Sequence, residues 1–206
     1  MPTFIFRRDN LFDRLIAIPE YMNTNDKIEN NFTGESFTLL VSGKNTNGSS
    51  NKYQLTLPAN HPGHPLHYHT GFVEIFTVEK GQLDIYTDKE SNGPLTLTEG
   101  QMIVVKTDQP HRYANSSGEP VTFTVEARPA GSMARAYQVA YGVANKGGGR
   151  KDGLPANRLV RIYVYRIGHM YFAYEPLFLQ RIVFSLVTFI LFITLRKRKL
   201  DRYIVY

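Results

Sequence analysis

The 206-residue chain contains no cysteine and no tryptophan. Without cysteine, disulfides, thiolate-bound zinc, iron–sulfur clusters and thiol nucleophiles are excluded together. Apolar runs are short, and the one nearest the C-terminus, Ile182 to Leu195, has 14 residues. A secretory pattern is missing as well, because Asp9, Asp13 and Arg14 interrupt the apolar residues that follow Arg7 and Arg8. The body is therefore expected in the cytoplasm and not secreted. No repeat is visible, which argues against a duplicated domain. A chain of this length holds one ordinary domain with a real core, plus appendages.

Tyr and Phe are each present 13 times, a composition that favours strands and tolerates a membrane interface. The net charge of +6 is unevenly placed. From Arg150 onward there are 11 basic and 3 acidic residues, giving +8, whereas the first 149 carry 13 and 15, giving −2. A slightly acidic body thus bears a basic tail. The tail's positive charges are interleaved with apolar residues, so an anionic membrane surface fits it better than nucleic acid.

Residues 1 to 35 read as an N-terminal arm with a short helix or strand and an Asn-rich loop (Asn23, Asn25, Asn30, Asn31), suited to packing on a second subunit. Short β-rich runs then recur between turn signals: Phe37 to Ser42, Tyr53 to Leu57, Phe72 to Glu79, Leu83 to Thr87, Leu95 to Thr98, Met102 to Lys106 and Val121 to Ala127. That rhythm predicts a sandwich or barrel over residues 36 to 130. The polar stretch 43 to 51 predicts an exposed hairpin loop, and Glu90 to Gly93 a tight turn. Residues 131 to 158 are expected to hold a helix, over about 130 to 145, and a flexible linker or loop at Lys146 to Pro155. An apolar, basic, helical tail follows over 159 to 206.

Within the β-rich part, His67 and His69 flank Tyr68. Alternation along a strand turns both to one side, as two ligands of one ion require. Glu74 adds an oxygen donor and His111 a third imidazole from a distant strand. Three imidazoles and one carboxylate suit Fe, Mn, Ni, Cu or Zn, and leave two positions free on an octahedral ion. The competing reading is an empty, hydrogen-bonded polar pocket. By the same alternation Phe76 and Val78 share the face of Glu74, and Tyr113 that of His111, so they line an apolar substrate pocket or simply pack in the core. On the last strand Val121, Phe123 and Val125 form one face and Thr122, Thr124, Glu126 and Arg128 the other. If the second face looks inward, Glu126 orients a ligand imidazole or acts as a base; if outward, it is solvated charge. His61 and His64 either edge the pocket mouth or are loop residues, and His169 is expected to be uninvolved.

These residues resemble the two motifs of the cupin superfamily. The first is His-x-His, then a carboxylate, then Gly, here His67, His69, Glu74 and Gly81, with Gly63 upstream. The second has Gly, Pro-x-Gly, His and Asn, here Gly100, Lys106, Asp108, His111 and Asn115, so that Lys106 and Asp108 replace the Pro and the middle Gly of a turn. The resemblance implies a mainly β jelly-roll (double-stranded β-helix) barrel and a divalent metal held by His67, His69, Glu74 and His111. It leaves the reaction open, because similar barrels host dioxygenases, isomerases, decarboxylases, sensors and storage proteins. The leading expectation is a metal-dependent enzyme of oxygenase type, with Fe(II) or Mn(II) favoured, Glu74 or an inward Glu126 handling protons, and a small organic substrate. A homodimer is expected by fold analogy. The rival is a non-catalytic ligand- or metal-binding module tethered to the membrane by its tail.

As a helix, Ile182 to Leu195 covers about 21 Å of the roughly 30 Å hydrocarbon core. Extending it to residues 176 to 195 makes a membrane segment long enough to span, with Gln180 and Arg181 inside it. The alternatives are shallow embedding and a helix docked on the barrel or on a second subunit.

Overall fold

The computed structural model describes residues 22–87 and 93–194. The N-terminal arm up to residue 21, the predicted turn at 90 to 92 and the basic cluster at 196 to 199 lie outside the described residues.

Antiparallel pairing builds two sheets. One joins β1 (Lys27–Glu29), β2 (Ser36–Val41), β3 (Asn51–Leu57), β10 (Val121–Arg128), β5 (Val73–Lys80) and β8 (Met102–Val105), in that spatial order. The other joins β11 (Tyr171–Phe172), β4 (His67–Tyr68), β9 (His111–Ala114), β6 (Gln82–Thr87) and β7 (Leu95–Thr98). The seven predicted strands are all present, within two residues at each end. Their alternation explains the core: Asn51, Tyr53, Leu55 and Leu57 point inward from β3, and Glu74, Phe76 and Val78 from β5, while their neighbours are more exposed. Burying an apolar side chain such as Leu55 or Phe76 contributes about 1.5–3 kcal/mol.

Three helices follow, α1 (Met133–Val143), α2 (Arg158–Ile167) and α3 (Leu177–Ile193). Helix α1 is buried on nearly every side, Arg135 and Gln138 included. Asn157 caps α2, its Oδ1 accepting from the N–H groups of Leu159 and Val160.

Of the linker and loop readings of 146 to 155, the structure has a loop built into the fold: Gly149 bridges Pro155, Arg150 N donates to Leu154 O, and Asn30 Nδ2 donates to Gly153 O at 3.0 Å. Gly147 and Gly153 allow the chain its positive φ there, at 85° and 76°. The proposed spanning segment is the 17-residue α3, and among the described residues no helix is long and apolar enough to cross a membrane. Gln180, awkward inside lipid, is buried against protein, its amide bonded to the backbone N–H and C=O of Phe172 and to Glu175 O.

Candidate metal centre

His67 on β4 and His111 on β9 are direct cross-strand partners. His69, just past β4, turns to the same side, so the three rings meet with centroid separations of 4.9, 4.5 and 5.5 Å. All three are buried, and one ligand nitrogen from each lies within 4.8 Å of the other two. Their outer nitrogens are fixed: His67 Nδ1 meets Pro65 O at 2.8 Å, His69 Nδ1 meets His169 O at 2.9 Å and His111 Nδ1 meets Gln109 O at 3.0 Å. A carbonyl only accepts, so each Nδ1 carries a proton and Nε2 is the nitrogen left facing inward, a donor to Glu74 when protonated and a metal-binding lone pair when not.

Glu74 of β5 faces them. Its Oε2 lies 2.9 Å from His111 Nε2 and 3.3 Å from His69 Nε2, and its Oε1 accepts from the Tyr53 hydroxyl at 2.9 Å. Burial pushes the Glu74 carboxyl up, but the charges and hydrogen bonds of His69 and His111 outweigh it and hold the group well below the usual carboxylate range. Burial, then His111 and His69, drive His67 well below the ordinary imidazole value. The Tyr53 hydroxyl is pushed up, first by burial and then by Glu74, so it stays a donor. The three imidazoles form a buried group that could hold a metal ion, and His69 Nε2 lacks a hydrogen-bond partner; Glu74 lies against His111 and His69 but outside the group whose ligand atoms all lie within 4.8 Å of one another.

The backbone explains the motif glycines. Gly63 has φ +70°, and a Cβ there would lie 1.7 Å from Tyr113 O, next to the His111 strand. Where the resemblance expects a glycine, Asp108 adopts φ 62° and its N–H donates to His69 O at 2.8 Å, so the turn survives the replacement. Asn115 is structural: its Nδ2 donates to Pro58 O and Glu119 O at 2.8 Å each, and its Oδ1 accepts from the Ser117 N–H and hydroxyl.

Residues 53–125 match the sequence profile of the cupin domain. The barrel is a cupin domain. The sequence has no match among curated proteins. Among solved structures, the cupin is similar to a predicted oxalate decarboxylase from Thermotoga maritima, with 16% identity, 54% of this chain and 97% of that chain covered, and a TM-score of 0.44. It is also similar to the polyketide cyclase RemF from Streptomyces resistomycificus (15% identity, 52% and 70% covered, TM-score 0.41). For a cupin-superfamily sugar phosphate isomerase from Silicibacter pomeroyi the identity is 22% and the TM-score 0.39, over 46% of this chain. The match spans 59% of that isomerase's length.

The remaining candidates fall in two groups. Phe76, Val78 and Tyr113 are buried on the faces expected, Phe76 with its ring 6.0 Å from His111 and 6.1 Å from Tyr113. The Tyr113 hydroxyl is bonded to the Tyr137 hydroxyl at 2.8 Å and to His64 Nδ1 at 3.2 Å. Glu126 points away, half-buried and paired with the exposed Arg128 at 2.7 Å, so the inward orientation that would make it a base is not met. Sequence reasoning missed Tyr53 and the carbonyl of His169. Tyr53 had a signal, since it shares the inward face of Leu55 and Leu57, and a buried phenol needs a partner. The carbonyl of His169 had none, because backbone contacts leave no residue signature.

Proposed function

We propose that this cupin is a metal-dependent enzyme acting on a small organic molecule, with His67, His69, Glu74 and His111 as ligands and Fe(II) or Mn(II) as the ion, ahead of Ni, Cu or Zn. The supporting observation is the buried group of three imidazoles whose Nδ1 protons are tied to backbone carbonyls, leaving Nε2 as the nitrogen each can offer an ion, with Glu74 against two of them. When bound, such an ion supplies Lewis acidity and redox capacity at open positions, the chemistry of a dioxygenase-like reaction. The chain's own contribution is positioning and proton handling. Tyr53 fixes Glu74 through Oε1, which turns Oε2 to the imidazoles and to an ion held by them, and Glu74 is the group that would handle protons there. Phe76, Val78 and Tyr113 supply the apolar wall that excludes water. The test is metal content of the purified full chain, followed by dioxygen consumption with Fe(II) or Mn(II) against a panel of phenols and diketones. Absence of metal uptake, or uptake without turnover of any panel member, defeats the reading.

A second reading, a ligand- or metal-binding module held at a membrane by its C-terminal tail, draws on one observation. Helix α3 buries Phe184, Val187 and Leu191 but leaves Phe178, Ile182, Leu186, Phe189, Phe192 and Ile193 at least half exposed. Such a face, beside exposed Arg181 and followed in sequence by Arg196 to Lys199, suits an anionic lipid surface along which the helix lies without spanning. Vesicle co-sedimentation with and without anionic lipid, alongside the solution mass, tests it. Pelleting only with anionic vesicles supports it; no pelleting, or burial of the face in a dimer, removes it.

A further inference from the structure

The loop from His61 to Leu66, helices α1 and α2 and the turn at 150 to 154 border a cavity of about 620 Å³. Its lining includes none of the four proposed metal ligands. The volume is in the range that holds a small molecule.

Arg112, Arg150, Arg161, Glu35 and Asp152 all lie in the lining, and their partners decide which charge is left for a ligand. The Arg112 guanidinium stacks 3.6 Å from the centre of the Tyr86 ring, which is no part of the wall. Arg150 pairs with Asp152 at 3.0 Å, and the other Asp152 oxygen accepts from the Leu154 N–H. Glu35 is 3% exposed and faces His64 Nε2 at 3.6 Å. Arg161 differs: half-buried on α2, it donates to Pro155 O at 2.9 Å and makes no ion pair among the described residues. A guanidinium fork carries several N–H groups, so most of its donors remain for a ligand.

Tyr165 stands one helical turn further along the same face of α2, with about 5–6 Å between the two Cβ atoms. Its hydroxyl has no hydrogen-bond partner among the described residues and, unlike that of Tyr141, is not sealed in protein. Burial pushes this hydroxyl up, so it stays a donor; of the charges acting on it, Arg161 comes first, ahead of Asp152 and Arg150. A guanidinium fork and a phenol O–H so spaced lie within reach of one carboxylate.

The rest of the lining selects charge and shape. One unpaired cation balances one negative charge, whereas a dianion would bring a second charge toward Asp152 and Glu35. An ammonium would meet Arg161 with like charge, and the carboxylate that would draw it, Glu35, is buried against His64. Met133, Val164, Met170 and Phe172, beside the rings of Tyr137 and Tyr141, suit an apolar body.

We propose that this cavity binds a small monocarboxylate with an apolar body, its oxygens accepting from the Arg161 guanidinium and the Tyr165 hydroxyl. The site does not depend on the metal centre. Aromatic and aliphatic acids share this chemistry, and the test separates them. Calorimetry and saturation-transfer NMR on the full chain would use benzoate beside benzamide and hexanoate beside hexanamide, with benzylamine as the cation, each with and without a chelator. The expected result is binding of benzoate, hexanoate or both that survives the chelator, with the matching amide weaker by about tenfold or more. Arg161→Gln should weaken the acid by about tenfold or more and Tyr165→Phe by about threefold. The ratio of the two acids reports which body the cavity prefers. Binding of neither acid, equal binding of acid and amide, or preference for benzylamine overturns the proposal. So does undiminished affinity in either variant that melts cooperatively; if neither variant folds, the amide comparison decides. Binding that vanishes with the chelator belongs to a metal ion and overturns it as well. Because the deciding arms are metal-free, failure here leaves the metal-dependent reading standing, and success does not support it.

Discussion

Replacing Gly63 by alanine tests the geometry between the two histidine strands. The residue sits at φ +70°, where a side chain costs about 1–2 kcal/mol. At Gly63 there is a second cost, since the new Cβ would lie 1.7 Å from Tyr113 O and 2.7 Å from Tyr113 C, backbone atoms that move only if β9 moves. Forcing atoms into packed space adds about 1–3 kcal/mol, so the total loss is about 2–5 kcal/mol. Gly100 provides the control, with φ +80° and nothing within 4 Å of its would-be Cβ; Gly100→Ala should cost only the conformational part. Urea unfolding of both variants measures the difference, and metal titration shows whether displacement of β9 reaches His111. Equal losses in the two variants would refute the argument, because they share the backbone strain and differ only in the contact.

Acid should destabilise the metal-free protein in two stages. The unfolded chain takes up protons near the ordinary imidazole value of 6.5 that the folded state refuses at His67, so stability falls as pH drops below that value. Glu74 and Glu35, lowered from 4.5, add a further loss below it; a flat urea midpoint from about pH 7 to about pH 4 contradicts this. Asn115→Ala takes from the part-buried Pro58 carbonyl its amide donor and from Glu119 O one of its two donors, Ser117 Oγ being the other, and should cost about 1–3 kcal/mol, read as a shift in the urea midpoint. Glu74→Gln keeps an acceptor for Tyr53 but removes the charge facing the imidazoles; calorimetry should show metal affinity down by about tenfold or more with the fold intact.

The barrel was legible because its strands alternate at period two and its histidines sit in a spaced pattern. Alternation placed Glu74, Phe76 and Val78 on one face and Glu126 among residues of the other, but which face of β10 looked inward was left open. The very short strands escaped: Lys27–Glu29 and Tyr171–Phe172 are too short to show any period. Linker and loop stayed open at 146 to 155 because glycines mark mobile chain and tight turns alike, and here they serve positive-φ turns held by backbone bonds. The cavity wall joins Glu35, His61 and Tyr141, residues far apart in sequence whose proximity only the tertiary packing creates.

The segment that accepts the His69 Nδ1 proton belongs to the C-terminal extension, between α2 and β11, and β11 pairs with the strand of His67. If an ion binds the three histidines, its occupancy and the seating of the tail would be linked through these contacts. An ion that orders His69 would tighten the hold on residues 169 to 172, and by reciprocity whatever pulls α3 away, through Gln180 and Phe172, would loosen the ion by the same factor. The extension is then a lever with its short arm at the metal and its apolar face on the long arm.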